Sequence, residues 1–574
     1  MKNFSYKGDE LDSGKKHNKT VFTNINKLYR EPLFILTLIT VGITFYLLMV
    51  QMKIGVPYWD VFNYLNNALY FIGAGNGSFL YLPPVVPLFT SIFFKMGYTS
   101  FNAIFIIDSI LFIIGVIGLY LLLNQRFNKI QSFTGSLMYI SFPVVLSWVA
   151  TGGIDIPGVS FSIWAIYFAV LGVKKDSRFL YLVIPITMLA FLTRYTAGLI
   201  LMPILFYAVI NIKHIKNVKK VSLGILSEVI SLLAAFIYVY AKLGTIKSFY
   251  NLLLNVSTFT YMGVSDVAYN PDKWYYLHNI LNYISVSPFQ GTYQQVLNPS
   301  SGFPSILAYM ITLTAVIGII FYIYRALNLK INNTSNLKLN LHNSIKIAVL
   351  IVLIVSFIIT VSNMPYIISE VIFFAICCLL FILLKNPKSK NLDLDLMFFS
   401  WFGAYLIFQS ILTIKVDRYF ITMAPALAYF LILGLSEFMD KIKPKIRNSS
   451  LKSWGVYSII GLIFLSSAAV TYIGHTPKKC FTVDIGDASN WIKGYDPSYK
   501  DKKIYSDYPP AASWYLKKGV NGAYPRFFNN SEGFSKWLQK NNVDYYIDSL
   551  SEPKPNLKGY HIIKTVGTVT VYGK

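Results

Sequence analysis

PLFILTLITVGITFYLLMVQMKIGVPYWD, residues 32–60, decides the class of fold. Its apolar part, 33–51, is close to the roughly 20 residues that a helix needs to cross a hydrocarbon core. The run then ends in Tyr58-Trp59-Asp60, aromatic rings and a carboxylate of the kind found at a membrane–water boundary. Twelve further apolar segments follow, at about 101–123, 133–150, 157–173, 179–193, 195–212, 221–242, 303–325, 345–363, 364–384, 396–413, 419–436 and 454–473. The expectation is a polytopic α-helical membrane protein with about 13 transmembrane helices. The segments at 179–193 and 195–212 are short, which suits tilted or half-buried helices.

Composition agrees. Of 574 residues, 55% are hydrophobic and 13% charged, and mean hydropathy is +0.51; a soluble protein carries about 25% charged residues. Residues 1–31 are polar and basic, and the first span is too long for a signal-peptide core, so no cleavable signal is expected. The net charge of +25 invites a nucleic-acid reading, but its distribution excludes one. One alternate set of connections between spans holds 21 lysines and arginines, and the other set holds 8 despite being longer. This positive-inside bias places the N-terminus in the cytoplasm and the C-terminus outside a cell membrane. Three cysteines and six histidines show no disulfide framework and no metal-ligand spacing.

The outer connections are the long ones. Residues 32–474 form the membrane domain, with outer loops at 52–100 and 243–302, and residues 475–574 form a small extracytoplasmic α/β domain. The first loop contains a helical stretch, Asp60 to Phe71, and an apolar stretch, Val85 to Met96, suited to lying in the interface. In the C-terminal part, strands are expected at Lys503–Ser506, Val543–Ile547 and Val566–Tyr572, with helices around 488–493, 511–518 and 534–541.

Charge at the edge of a membrane domain is costly, so each case asks for a reason. Asp60 stands in the first outer loop and Asp155 in the next short one, Thr151-Gly152-Gly153-Ile154-Asp155-Ile156-Pro157. Both also fit the bland role of starting a helix. Arg194 lies between the two short segments, where it is either a snorkelling anchor or a phosphate clamp. Lys415-Val416-Asp417-Arg418-Tyr419 is a third outer site. Asp108 and Glu370, inside spans, are candidate pocket linings, and His278 is a candidate base in the second long outer loop.

In order along the chain, these features resemble the GT-C superfamily of membrane glycosyltransferases, in particular the protein O-mannosyltransferase and aminoarabinose-transferase branch. The resemblance rests on Asp60, the run Tyr81-Leu82-Pro83-Pro84-Val85-Val86-Pro87-Leu88, Asp155-Ile156-Pro157, Leu192-Thr193-Arg194-Tyr195-Thr196-Ala197-Gly198, and Asp417-Arg418-Tyr419 followed by Pro425. It implies sugar transfer from a polyprenyl- or dolichyl-phosphate donor to a hydroxyl on a glycan, lipid or protein acceptor at the outer membrane face. It implies that Asp60 activates the acceptor, that Asp155 helps hold the acceptor or its base, and that Arg194 and Arg418 hold the donor phosphate. Tyr58, Trp59, Tyr81, Asp108, His278, Lys415 and Asp417 are then candidate pocket residues. Three features depart from known branches. Val61 follows Asp60 where mannosyltransferases carry Glu, Leu82 and Pro83 stand where aminoarabinose transferases carry Lys-Pro, and the Trp-Trp-Asp-Tyr-Gly run of oligosaccharyltransferases is absent.

The chemistry is economical. A sugar phosphate already has a good leaving group, whereas the acceptor hydroxyl needs a base within hydrogen-bond reach. One carboxylate supplies that, cations stabilise the departing phosphate, and direct displacement inverts the anomeric carbon. Branches of the superfamily differ in using a divalent metal, so the sequence allows one without requiring it. The alternative is a transporter or lipid-carrier flippase, which would place polar residues at mid-membrane on broken helices.

Overall fold

The computed structural model describes residues 31–248, 270–287, 296–333, 341–385, 391–442, 449–475 and 479–574. Nine of the described helices are long and apolar enough to cross a membrane: Pro32–Ile54, Asn102–Leu123, Asp155–Lys174, Val218–Lys242, Ile306–Leu327, Ser344–Val361, Tyr366–Leu384, Leu392–Ile411 and Trp454–Ile473. The protein is a multi-pass membrane protein.

The four other expected segments are helical over shorter or more charged stretches. Residues 133–150 fall in Lys129–Ser141 and Pro143–Leu146. Pro143 has no N–H for the preceding helix, and a residue before proline is driven to extended backbone, as Phe142 is. The segments at 179–193 and 195–212 each open with a 3-10 stretch, Ser177–Leu182 and Tyr195–Ile200, with Arg194 extended between them. Ala424–Ile442 carries Glu437, Asp440 and Lys441 in its last turns.

In a bilayer, lipid tails are as apolar as side chains, so helices are held by close packing of small residues. A Cβ built on Gly318 would overlap the Gly434 carbonyl, so the helices bearing them cross backbone to backbone. A Cβ on Gly115 would overlap the Ser160 side chain, a close contact that joins Asn102–Leu123 to Asp155–Lys174. At one end of the bundle Arg126 pairs with Asp395 at 3.0 Å, and the Tyr322 and Tyr429 hydroxyls donate to the same carboxylate.

At the opposite end lie the first loop and the C-terminal domain. The loop folds into the helices Trp59–Phe71 and Val85–Lys95. The second buries Val86, Thr90 and Phe94 and leaves Leu88 and Ile92 exposed, as an interfacial helix requires. The domain is a five-stranded sheet in the order β2-β1-β3-β5-β4. These strands are β1 (Ile504–Ser506), β2 (Asn521–Gly522), β3 (Tyr545–Asp548), β4 (His561–Val566) and β5 (Val569–Gly573). β2, β1 and β3 run parallel, and β5 pairs antiparallel with both β3 and β4. The single strand expected over 566–572 is instead a hairpin, turned at Gly567-Thr568 with Gly567 at φ +54. The helices Phe481–Tyr495, Pro509–Leu516 and Ser531–Lys540 complete the domain.

The glycine crossing is testable. Gly434→Leu should cost about 1–3 kcal/mol through overpacking and lower the melting temperature of the detergent-solubilised protein. A melting curve superposable on that of the natural chain would contradict so close a crossing.

Candidate active site

Two carboxylate–guanidinium pairs meet around one aromatic ring at the end of the bundle that carries the C-terminal domain. Asp60 lies in the first turn of Trp59–Phe71, and its Oδ2 accepts from the Arg418 guanidinium at 2.7 Å. Arg418 sits in the 3-10 segment Asp417–Thr422 and is enclosed by rings: Tyr58 at 5.1 Å, Trp148 at 5.5 Å and Tyr419 at 5.8 Å. Burial alone would pull the Arg418 pKa down; the Asp60 carboxylate, together with Tyr58 and Tyr419, holds it above its ordinary value. Tyr58 is set edge-on to Trp148, whose indole N–H donates to the Leu297 carbonyl.

Asp155 is the first residue of its helix and pairs with Arg194. Arg194 Nε also donates to Thr196 Oγ1 at 2.7 Å, and its guanidinium lies 5.1 Å from the Tyr419 ring. Tyr419 is therefore shared by both arginines. Gly158 makes the approach feasible, since a Cβ there would meet the Arg194 side chain at 2.9 Å. The two pairs differ in exposure. The Arg194 and Asp155 side chains are 6% and 4% exposed, against 19% for Arg418 and 36% for Asp60. The inner pair is the more deeply buried, and Asp60 is the more exposed of the two acids.

Surrounding residues named from the sequence hold this geometry. Asp108 accepts the Gly152 N–H at 3.0 Å and so pins the turn that leads to Asp155. Asp417 is buried and accepts from the Tyr275 hydroxyl at 2.6 Å, the Tyr283 hydroxyl at 3.0 Å and the Ser300 N–H at 2.7 Å, anchoring the second long loop beside Arg418. The Lys415 ammonium donates to the Gln409, Ser410 and Leu412 carbonyls and so caps the Leu392–Ile411 helix. The Tyr81 carbonyl accepts from the Tyr195 hydroxyl. Trp59 turns to the C-terminal domain, its ring centroid 4.6 Å from that of Tyr508. His278 is exposed and pairs with Asp272 at 3.0 Å. Glu370 is buried within its span, in electrostatic reach of Tyr405. Among the described residues no three His, Cys, Asp or Glu side chains gather as a metal site.

With this arrangement in view, known structures decide the architecture. The chain superposes on ArnT from Cupriavidus metallidurans bound to undecaprenyl phosphate with a TM-score of 0.54, covering 93% of this chain and 97% of that one at 10% identity. The fold is of the GT-C type. ArnT in the apo state gives 0.51, with 94% and 96% covered at 10% identity. The archaeal oligosaccharyltransferase AglB from Archaeoglobus fulgidus, in complex with an inhibitory peptide and a dolichol-phosphate, gives 0.46, with 90% of this chain and 69% of that one covered at 12% identity. Residues 82–240 match the family described as dolichyl-phosphate-mannose-protein mannosyltransferase. That match contains Asp108, Asp155 and Arg194. No curated protein matches in sequence.

Within this GT-C fold, sequence reasoning passed over three rings at the site: Tyr419, Trp148 and Tyr508. Tyr419 stands next to Arg418 in the run already singled out, and Trp148 lies just before the Thr151-Gly152 turn, so interfacial aromatic character was their signal. Nothing in the sequence ties Tyr508 to Trp59.

Lys415 gives a pH prediction. Burial pulls it down to about 8, against about 10.4 for a free lysine. Between these values the unfolded chain still holds the proton that the native chain has released, so this residue adds stability as pH rises through the window and loses it as pH falls. Lys415→Met should flatten the rise in denaturation midpoint over that range; an unchanged slope would contradict the assignment.

Proposed function

We propose that the protein is an inverting glycosyltransferase that moves a sugar from a polyprenyl- or dolichyl-phosphate donor to a hydroxyl acceptor, with Asp60 as general base. The reading includes an outer-face site, a cytoplasmic N-terminus and an extracytoplasmic C-terminal domain, as the charge distribution of the loops favours. The observation that carries it is the shared cluster: two guanidiniums side by side around Tyr419, one of them paired with a partly exposed carboxylate. Guanidinium binds phosphate bidentately, and two of them match the charge of a lipid phosphate better than one. The GT-C fold supports the same chemistry, since ArnT of that fold binds undecaprenyl phosphate.

The pairs suggest how the site is primed. Without substrate, Asp60 neutralises Arg418; an arriving donor phosphate takes over that guanidinium and frees the carboxylate. Asp60 then accepts the acceptor O–H proton as the acceptor oxygen attacks the anomeric carbon. The bond from that carbon to the phosphate oxygen breaks, and its electron pair leaves with the lipid phosphate, held by Arg418 and Arg194. Asp155, paired with Arg194 and the more buried of the two acids, keeps that cation aimed. This geometry favours it as a positioning group. Direct displacement by one base inverts configuration; a second carboxylate nucleophile would be required for retention.

The test is transfer by the purified protein from a radiolabelled polyprenyl-phosphate sugar, read as acceptor-dependent release of lipid phosphate. Asp60→Asn should lose about 10²–10⁴-fold in turnover while still folding and binding lipid phosphate. Near-normal turnover in that variant would refute Asp60 as the base.

A further inference from the structure

The sheet domain touches the candidate site at its first turn. The Cys480 N–H donates to the Ile54 carbonyl at 2.7 Å, and Thr482 Oγ1 donates to the Val56 carbonyl at 2.5 Å. Between them Gly55 adopts φ +86, and a Cβ there would meet Val483 Cγ2 at 2.5 Å. Only glycine allows both the backbone turn and so near an approach of the Phe481–Tyr495 helix.

One face of Trp59–Phe71 belongs to this domain. Trp59, Phe62 and Asn66 follow the i, i+3, i+7 spacing of a single helix face. Tyr508 lies edge-on to Trp59 at 4.6 Å and to Phe62 at 6.3 Å, and Phe481 backs it at 5.4 Å. The Asn66 amide donates to the Pro510 carbonyl at 3.0 Å. A helix of 13 residues is marginal by itself, so its placement depends on what it packs against. Asp60 follows Trp59 directly, and Tyr508 lies within electrostatic reach of the Asp60 carboxylate.

We propose that the C-terminal domain is a working part of the site, with Tyr508 as the positioning residue that holds the Trp59–Asp60 turn against Arg418. This rests on the reading of Asp60 as the base, so the test has one arm that needs activity and one that does not. Tyr508→Ala and Tyr508→Phe would be compared in the full chain.

In the activity arm, Tyr508→Ala should lower kcat about tenfold or more, with no weakening of the Kd for undecaprenyl phosphate, because both arginines are held by the bundle and a loosened Asp60 competes less for Arg418. Tyr508→Phe keeps the ring and should restore kcat. In the second arm, amide hydrogen exchange over residues 59–71 should quicken about tenfold in Tyr508→Ala, while the Asp155–Lys174 helix is unaffected. Unchanged exchange over 59–71 overturns the proposal whether or not the protein transfers sugar. Quickened exchange together with wild-type kcat also overturns it, because the domain would then stabilise the helix without serving the site. Quickened exchange in a protein whose natural form transfers nothing upholds the positioning contact and refutes the activity instead.

Discussion

Two arginines placed where a bundle of apolar helices meets water cannot be left unpaired. Removing an ion from water costs several kcal/mol, and that cost is recovered only by good geometry with a partner. Arg194 meets it through Asp155, Thr196 and the Tyr419 face, and Arg418 through Asp60 and three rings. The difference in exposure between the pairs then sets their behaviour. A buried pair is costly to break, about 3–5 kcal/mol when one partner is removed, so on the proposed reading Asp155 stays on Arg194 while that cation meets the phosphate. Asp60–Arg418 is open at the carboxylate, where water or an incoming anion can take over a hydrogen bond at little cost. On the proposed reading the site has one fixed cation and one exchangeable pair.

Fixing those four side chains requires irregular backbone at the membrane edge, where each unpaired polar group carries a penalty. Buried ionisable side chains provide the partners. Asp108 takes the Gly152 amide, Asp417 ties the second long loop to the Asp417–Thr422 segment, and Lys415 collects the carbonyls at the end of Leu392–Ile411. None of these three needs to meet substrate for the site to depend on it. The C-terminal domain extends the same logic by hydrogen bonds from the Cys480 N–H and the Thr482 hydroxyl to the Ile54 and Val56 carbonyls, on either side of Gly55.

Much of this was legible in the sequence, and for a physical reason. Apolar runs near bilayer length reveal a many-helix membrane fold, and charged residues at their ends stand out because so few charges exist. Asp60, Asp155, Arg194 and Arg418 could each be named that way. Their pairing could not, because which acid meets which arginine depends on helix neighbours rather than on order along the chain. The sequence grouped both acids with the acceptor and both arginines with the donor; the structure pairs them across that division. Trp59 shows the same limit, since an interfacial tryptophan looks alike whether it faces a pocket or a docked domain. The hairpin at 561–573 was hidden because β-prone valine and threonine flank Gly567-Thr568 on both sides.

The most direct measurement is a structure of the full-length protein in lipid nanodiscs with a polyprenyl monophosphate bound. The phosphate should lie within hydrogen-bond distance, about 2.7–3.2 Å, of both the Arg194 and Arg418 guanidiniums, with Asp60 released from Arg418 and Asp155 still on Arg194. A phosphate seated elsewhere, with the Asp60–Arg418 pair undisturbed, would contradict the account.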